Sequence, residues 1–180
     1  MNTKTRTLVY MAFLVALNIV LSRLLSMRIS IGGVEGIRIG LGGLPIILAG
    51  IGLGPWQGGI VGAVADIIGY MINPMGAYAP HFTLSAFLTG FIPGAVTRYI
   101  FNNQNRLWHL VVAVLMGELV TNVLLVPYFL NSLFGLPIKA TIIPQIASVL
   151  IQTPFYAYLI SLMLQFRVLE PSSAAVGRKR

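Results

Sequence analysis

Asp66 and Glu118 each stand alone in a stretch of apolar residues, and a carboxylate in that setting is the strongest chemical signal in this chain. At bilayer depth a charge costs about 2.5–3.5 kcal/mol on insertion scales and needs a partner, so such an acid points to function by default. Polar companions lie at helical spacing. Gly58, Gly62, Asp66, Gly69, Tyr70 and Asn73 fall at spacings of three, four or seven and share one helical face, a groove of small residues ending in a carboxylate and a phenol. Asn122 follows Glu118 by four, and Thr141, Gln145, Ser148, Gln152 and Tyr156 form a stripe nearer the C-terminus. Tyr70, Asn73, Tyr78, Asn122, Gln145 and Gln152 are expected to wall a polar pocket opening outward above the two acids. The alternative is that each acid is protonated, or held by a neighbouring Ser, Thr or Asn, and serves only to pack helices.

Arg38 has glycines close by on both sides, which leaves its fork of donors open to an anion. Arg28 lies in the same Gly-rich segment, and for both the competing partner is lipid phosphate. Tyr70, Tyr78 and Phe82 can supply flat walls for a ring system. His81, beside Phe82, is a further candidate contact, although a histidine there also suits an ordinary interface position. With His109 as the only other histidine and no cysteine, the chain offers no metal-ligand set, thiol nucleophile or disulfide. It contains no Gly-Lys pair and so no Walker A loop, which excludes ATP hydrolysis by that route.

These residues sit in a chain that is 57% hydrophobic and 9% charged, with a mean hydropathy of +0.86. That composition belongs to a polytopic membrane protein. At about 20 apolar residues per crossing, 180 residues hold five or six helices and no separate soluble domain. The net charge of +8 is scattered at helix ends instead of clustered with aromatics, so nucleic acid is not an expected partner.

The expected architecture is an all-α integral membrane domain over residues 1–166, with six transmembrane helices near 7–25, 45–53, 58–72, 82–101, 107–130 and 140–166. The second and third form a hairpin turned by Gly54, Pro55, Trp56 and Gln57, since Gly-Pro breaks helices and Trp favours the membrane interface. Residues 26–43 and 73–81 are expected as loops. A basic tail, 167–180, ends Arg-Lys-Arg. Six crossings put both termini on one side with Lys4, Arg6, Arg98, Arg106, Arg167, Arg178, Lys179 and Arg180, against Arg23, Arg28, Arg38 and Lys139 on the other. The positive-inside rule places the richer side, with both termini and the tail, in the cytoplasm.

Six short helices, Ala12-x-x-x-Ala16 on the first, and Gly-Pro followed by a Gly-rich third helix resemble the substrate-binding S components of energy-coupling-factor (ECF) vitamin importers. The stretches Arg38-Ile-Gly-Leu-Gly-Gly-Leu-Pro45 and Gly62-Ala-Val-Ala-Asp66-Ile-Ile-Gly69-Tyr70 look most like the folate-specific members. The resemblance implies a multi-pass protein of the bacterial cell membrane that captures a vitamin outside. It would then join a transmembrane coupling subunit and two cytoplasmic ATPases, and release its ligand by tilting in the membrane. It implies no enzymatic activity in this chain and no cofactor. Ala12 and Ala16 would let a coupling helix approach closely, although packing within the bundle explains the same spacing.

A folate is compatible with these residues. Its pterin carries an N–H beside an exocyclic amine, an edge that a carboxylate, Asp66 or Glu118, can accept with two hydrogen bonds, while its anionic tail suits Arg38. Hydrogen bonds to charged groups contribute about 1.5–3 kcal/mol each, whereas nanomolar capture needs about 12 kcal/mol, so an enclosing apolar pocket must contribute the remainder. Three alternatives stay open: an S component for another vitamin such as pantothenate or pyridoxine, an integral-membrane enzyme using Asp66 with Glu118, and a structural subunit in which both acids are helix glue.

Overall fold

The structure, a computed structural model, describes residues 3–24, 26–31, 34–72, 74, 78–102, 104 and 106–166, with the side chains at 23–39 and 140 outside that description. Among the described residues the backbone forms six helical rods, all at the places expected. They are α1 (Thr3–Leu24), α2 (Leu44–Leu53), α3 (Pro55–Ile72), α4 (Pro80–Ala95), a fifth rod of two α segments, and α7 (Ile138–Gln165). The fifth runs without a break from α5 (Leu107–Glu118) through a π-helical turn, Leu119–Leu125, into α6 (Val126–Phe134). A second π turn, Val96–Ile100, ends the fourth rod. Each lies close to a proline, Pro127 or Pro93, whose missing N–H leaves a carbonyl of the preceding turn without its usual donor.

Thr3–Ser22, Leu107–Phe134 and Thr141–Gln165 are long and apolar enough to cross a membrane by themselves. The hairpin of α2 and α3 is shorter, as its sequence predicts. Gly54 makes its turn with φ 126°, a conformation open to glycine, and its N–H closes α2 by donating to the carbonyls of Ala49 and Gly50. Helix α2 is apolar all round because it is central: Leu44 through Gly50 are all buried, with Ile47, Leu48, Val61, Leu110, Val114 and Ile160 in one core.

Two expectations change. Residues 26–40, read as part of a loop, form an antiparallel hairpin of β1 (Ser26–Ile31) and β2 (Val34–Gly40) that pairs Ser26 with Gly40 and Arg28 with Arg38. A short 3-10 turn, Leu41–Gly43, joins it to α2. The glycine face of α3 is not a groove over its length, because neighbouring backbones fill it. A Cβ on Gly58 would strike the Gly50 backbone, one on Gly62 the Ala86 carbonyl, and one on Gly50 or Gly94 the backbone of the facing helix. Gly90, four before Gly94, meets the Gly58 carbonyl in the same way. Small residues here bring α2, α3 and α4 into backbone contact, the usual means of helix association where lipid removes the hydrophobic drive. Trp56 lies exposed at the hairpin turn, edge-on to Phe87 and Phe91 with centroids 6.2 and 5.3 Å away.

Candidate functional site

The short α2 controls the depth of the site. Ten residues span about 15 Å, half of a hydrocarbon core of about 30 Å, so a helix that starts from the interfacial turn at Gly54 ends near the bilayer centre. The 3-10 turn and the end of β2 therefore bring non-helical backbone to mid-depth. Such backbone is tolerated there only if it is enclosed by protein or lines a cavity. Its carbonyls find side-chain donors from two distant helices: Asn18 Nδ2 on α1 donates to Gly42 O, and the Tyr156 hydroxyl on α7 donates to Gly40 O.

Glu118 and Asn122 stand beside this turn. Glu118 is the last residue of α5 and is 2% exposed; Asn122, one turn on within the π segment, donates from Nδ2 to its Oε2. A Cβ built on Gly43 would lie 3.2 Å from Tyr156 Cε2, 3.4 Å from its hydroxyl and 3.6 Å from Glu118 Oε1, so the glycine, the phenol and the carboxylate converge on one point. Along α7, Thr141, Gln145, Ser148, Gln152 and Tyr156 are all buried, as their common stripe predicts. Tyr156 also contacts Gln152 Oε1 at 2.9 Å. A phenol has one proton, and the Gly40 carbonyl can only accept it. The side-chain amide of Gln152 meets that demand when its NH2 is turned toward the phenol, an orientation equivalent in shape.

A second polar group joins the C-terminal half of α3 to the first turn of α4. Thr83 Oγ1 donates to Asp66 Oδ2 at 2.7 Å, and the Tyr78 hydroxyl, 2.9 Å from Thr83 Oγ1, is left to donate to it. The Tyr78 ring tilts against Tyr70 with centroids 5.1 Å apart. Asp66 lies about 17 Å along a helix of about 27 Å, further from the hairpin turn than a count from Gly58 suggests, because α3 starts at Pro55.

The structure therefore sorts the expected site residues into two groups. Glu118, Asn122 and Gln152 come together with Tyr156, and Gln145 shares their buried stripe; Asp66, Tyr70 and Tyr78 come together with Thr83. Helix α3 packs on α1, α2 and α4, whereas α5 packs on α4 and α7, so the two acids belong to different helix contacts. His81 is exposed with its ring 5.0 Å from Phe129, and Phe82 is half-buried. Asn73 and the Arg38 side chain lie outside the described residues. Asn18, Gly43, Thr83 and Tyr156 were not among the expected contacts. The available signals were an asparagine interrupting the first apolar run and a tyrosine continuing the α7 stripe; nothing local marks Thr83. Among the described residues no three His, Cys, Asp or Glu side chains cluster.

A family model for the ECF-type riboflavin transporter, S component, matches residues 2–161. The chain is 35% identical over 157 residues to the folate transporter FolT of Clostridium novyi (strain NT), covering 87% of each. Its backbone matches a crystal structure of FolT bound with folic acid at a TM-score of 0.75 and 26% identity, over 93% of this chain and 99% of that one. A crystal structure of the S component for biotin from an ECF-type ABC transporter, 22% identical, has the same fold at a TM-score of 0.67, over 92% of this chain and 95% of the other.

Proposed function

Because the chain belongs to the S components of ECF-type transporters, we propose that it is the folate-capturing subunit of an ECF importer in a bacterial cell membrane. It is a multi-pass membrane transport subunit and not an enzyme. The observation that carries the folate reading is likeness to FolT along nearly the whole chain, in sequence and in fold. The chemistry of the inner group supports it. A pterin edge offers two adjacent donors, which a carboxylate accepts together. The corresponding edge of riboflavin places one N–H between two carbonyls, so a carboxylate there meets a lone pair. Glu118, steadied by Asn122 and flanked by Tyr156, suits the first edge and not the second.

In this reading Glu118, Asn122, Gln145, Gln152 and Tyr156 form the floor of the site. Asp66, Tyr70, Tyr78, His81 and Phe82 border its mouth, and Asn73 and Arg38 are assigned to the ligand by their chemistry alone, an amide and a cation that suits the anionic tail. The β1–β2 hairpin leads from mid-depth to the outer side of the membrane, where the link between α3 and α4 also lies, with both termini in the cytoplasm. Purified protein in detergent should bind folic acid at nanomolar to submicromolar concentration, measured by titration calorimetry, with riboflavin and biotin silent in the same range. Saturation by riboflavin at lower concentration than folic acid would reassign the ligand.

Uptake requires partners of the kind such importers use, a transmembrane coupling subunit and two cytoplasmic ATPases. Ala12 and Ala16 are exposed on one side of α1 and suit a closely approaching helix. Ala12→Trp and Ala16→Trp should each abolish folate uptake in cells supplying the partners while leaving folic-acid affinity within about twofold, since neither side chain is needed inside the bundle. A loss of affinity would put that face in the site instead.

A further inference from the structure

Helix α1 carries two faces. Ala12, Phe13, Ala16 and Val20 are exposed, whereas Leu14, Asn18 and Ser22, at four-residue spacing, are buried. Asn18 is 5% exposed in a helix otherwise rich in apolar residues, and its side-chain NH2 goes to the backbone, at Gly42. That carbonyl belongs to the 3-10 turn that presents Gly43 to Glu118 and Tyr156, and Tyr156, on α7, holds Gly40 just before the turn. The turn is short, rich in glycine and without a side-chain cap, so its own residues do little to stiffen it.

We infer that Asn18 is a positioning residue of the ligand site: by holding Gly42 it sets the Leu41–Gly43 turn against Glu118, and it ties that turn to the helix whose other face is exposed. The inference rests on the folate reading for its ligand and goes beyond it in its consequence. A partner helix that docks on Ala12 and Ala16 and moves α1 moves Asn18 with it. The floor of the site is then disturbed without any change to a residue that touches ligand.

If Asn18 only satisfied a buried carbonyl, its loss would lower stability and spare the bound state. If it positions the turn, its loss shortens the life of the complex. The test uses the full chain in lipid nanodiscs with Asn18→Leu, which keeps the volume and removes the donor, and Asn18→Ser, which keeps a shorter donor. Asn18→Leu should weaken folic-acid binding about tenfold, equivalent to about 1.4 kcal/mol, mostly through faster dissociation. The melting temperature of the unliganded protein should move by only a few degrees, with Asn18→Ser intermediate. Unchanged affinity and dissociation rate in folded Asn18→Leu would overturn the inference, as would a lowered melting temperature with affinity intact. If Asn18→Leu does not fold, Asn18→Ser alone decides by the same two readouts. If the wild-type chain does not bind folic acid, the functional reading fails separately. Hydrogen exchange at residues 40–43 of the unliganded protein then decides: faster exchange in the variant supports the positioning role, and equal exchange refutes it.

Discussion

Glu118→Ala should lower folic-acid affinity by roughly 30-fold to several-thousand-fold, the equivalent of about 2–5 kcal/mol. The range is that for removing one member of a buried, charge-assisted pair, and it is large because the partner stays behind. Two pterin donors would face a void lined by Asn122 and Tyr156, with water poorly placed to replace the carboxylate. Glu118→Gln is the sharper variant, since it keeps the volume and one acceptor but brings an NH2 toward the two donors. It should lose affinity comparably. Asp66→Ala should cost less, because Asp66 is only half-buried and its Oδ2 already serves Thr83. Calorimetric titration of the three variants ranks them. A greater loss in Asp66→Ala than in Glu118→Ala would move the pterin to the outer group and reverse the assignment of floor and mouth.

Gly90→Val should leave no monodisperse protein after extraction in detergent. The cost exceeds the roughly 1–3 kcal/mol of ordinary overpacking, because what a Cβ would meet is backbone and not a side chain that can change rotamer. At Gly90 it would strike the Gly58 carbonyl, and Ile46 Cγ2 at 2.9 Å blocks the way out. Relief would require α3 and α4 to separate, which would undo the neighbouring contacts at Gly50, Gly62 and Gly94 as well. Gly135→Asn is the matched control. Gly135 ends α6 with φ 66° and a Cβ there meets nothing within 4 Å, so the cost is that of the left-handed backbone alone, which asparagine bears best among the other residues. A sharp size-exclusion peak and near-native melting for Gly90→Val would show that the three-helix contact is looser than the structure has it.

Much of this protein follows from its sequence because a membrane limits the choices. Lipid leaves the backbone no partner outside the helix, so apolar runs near residues 7–25, 107–130 and 140–166 have to be helices, and the structure finds them within four residues of those bounds at Thr3–Leu24, Leu107–Phe134 and Ile138–Gln165. Gly54-Pro55 marks the hairpin turn for an equally local reason, as helix continuation fails at that pair. The buried stripe from Thr141 to Tyr156 is legible too, since periodicity alone decides which residues share a face.

What a face meets is another matter, and only the tertiary structure decides it. The glycines of α3 look the same in sequence whether they line a groove or admit another helix; the answer came from Gly50, Ala86 and Gly90 on neighbouring rods. The hairpin at 26–40 was hidden because short strands among glycines carry no pattern distinct from a loop. Asp66 and Glu118 fall into separate groups because α3 and α5 share only α4, α3 packing also on α1 and α2 and α5 on α7. Tyr156 reaches Gly40 across 116 residues of chain, and Asn18 reaches Gly42 across 24. These bonds fasten the backbone between β2 and α2. They exist because a half-length α2 leaves the non-helical backbone that precedes it, Gly40 to Gly43, in the middle of the membrane, where its carbonyls must take donors from whichever helices pack around it.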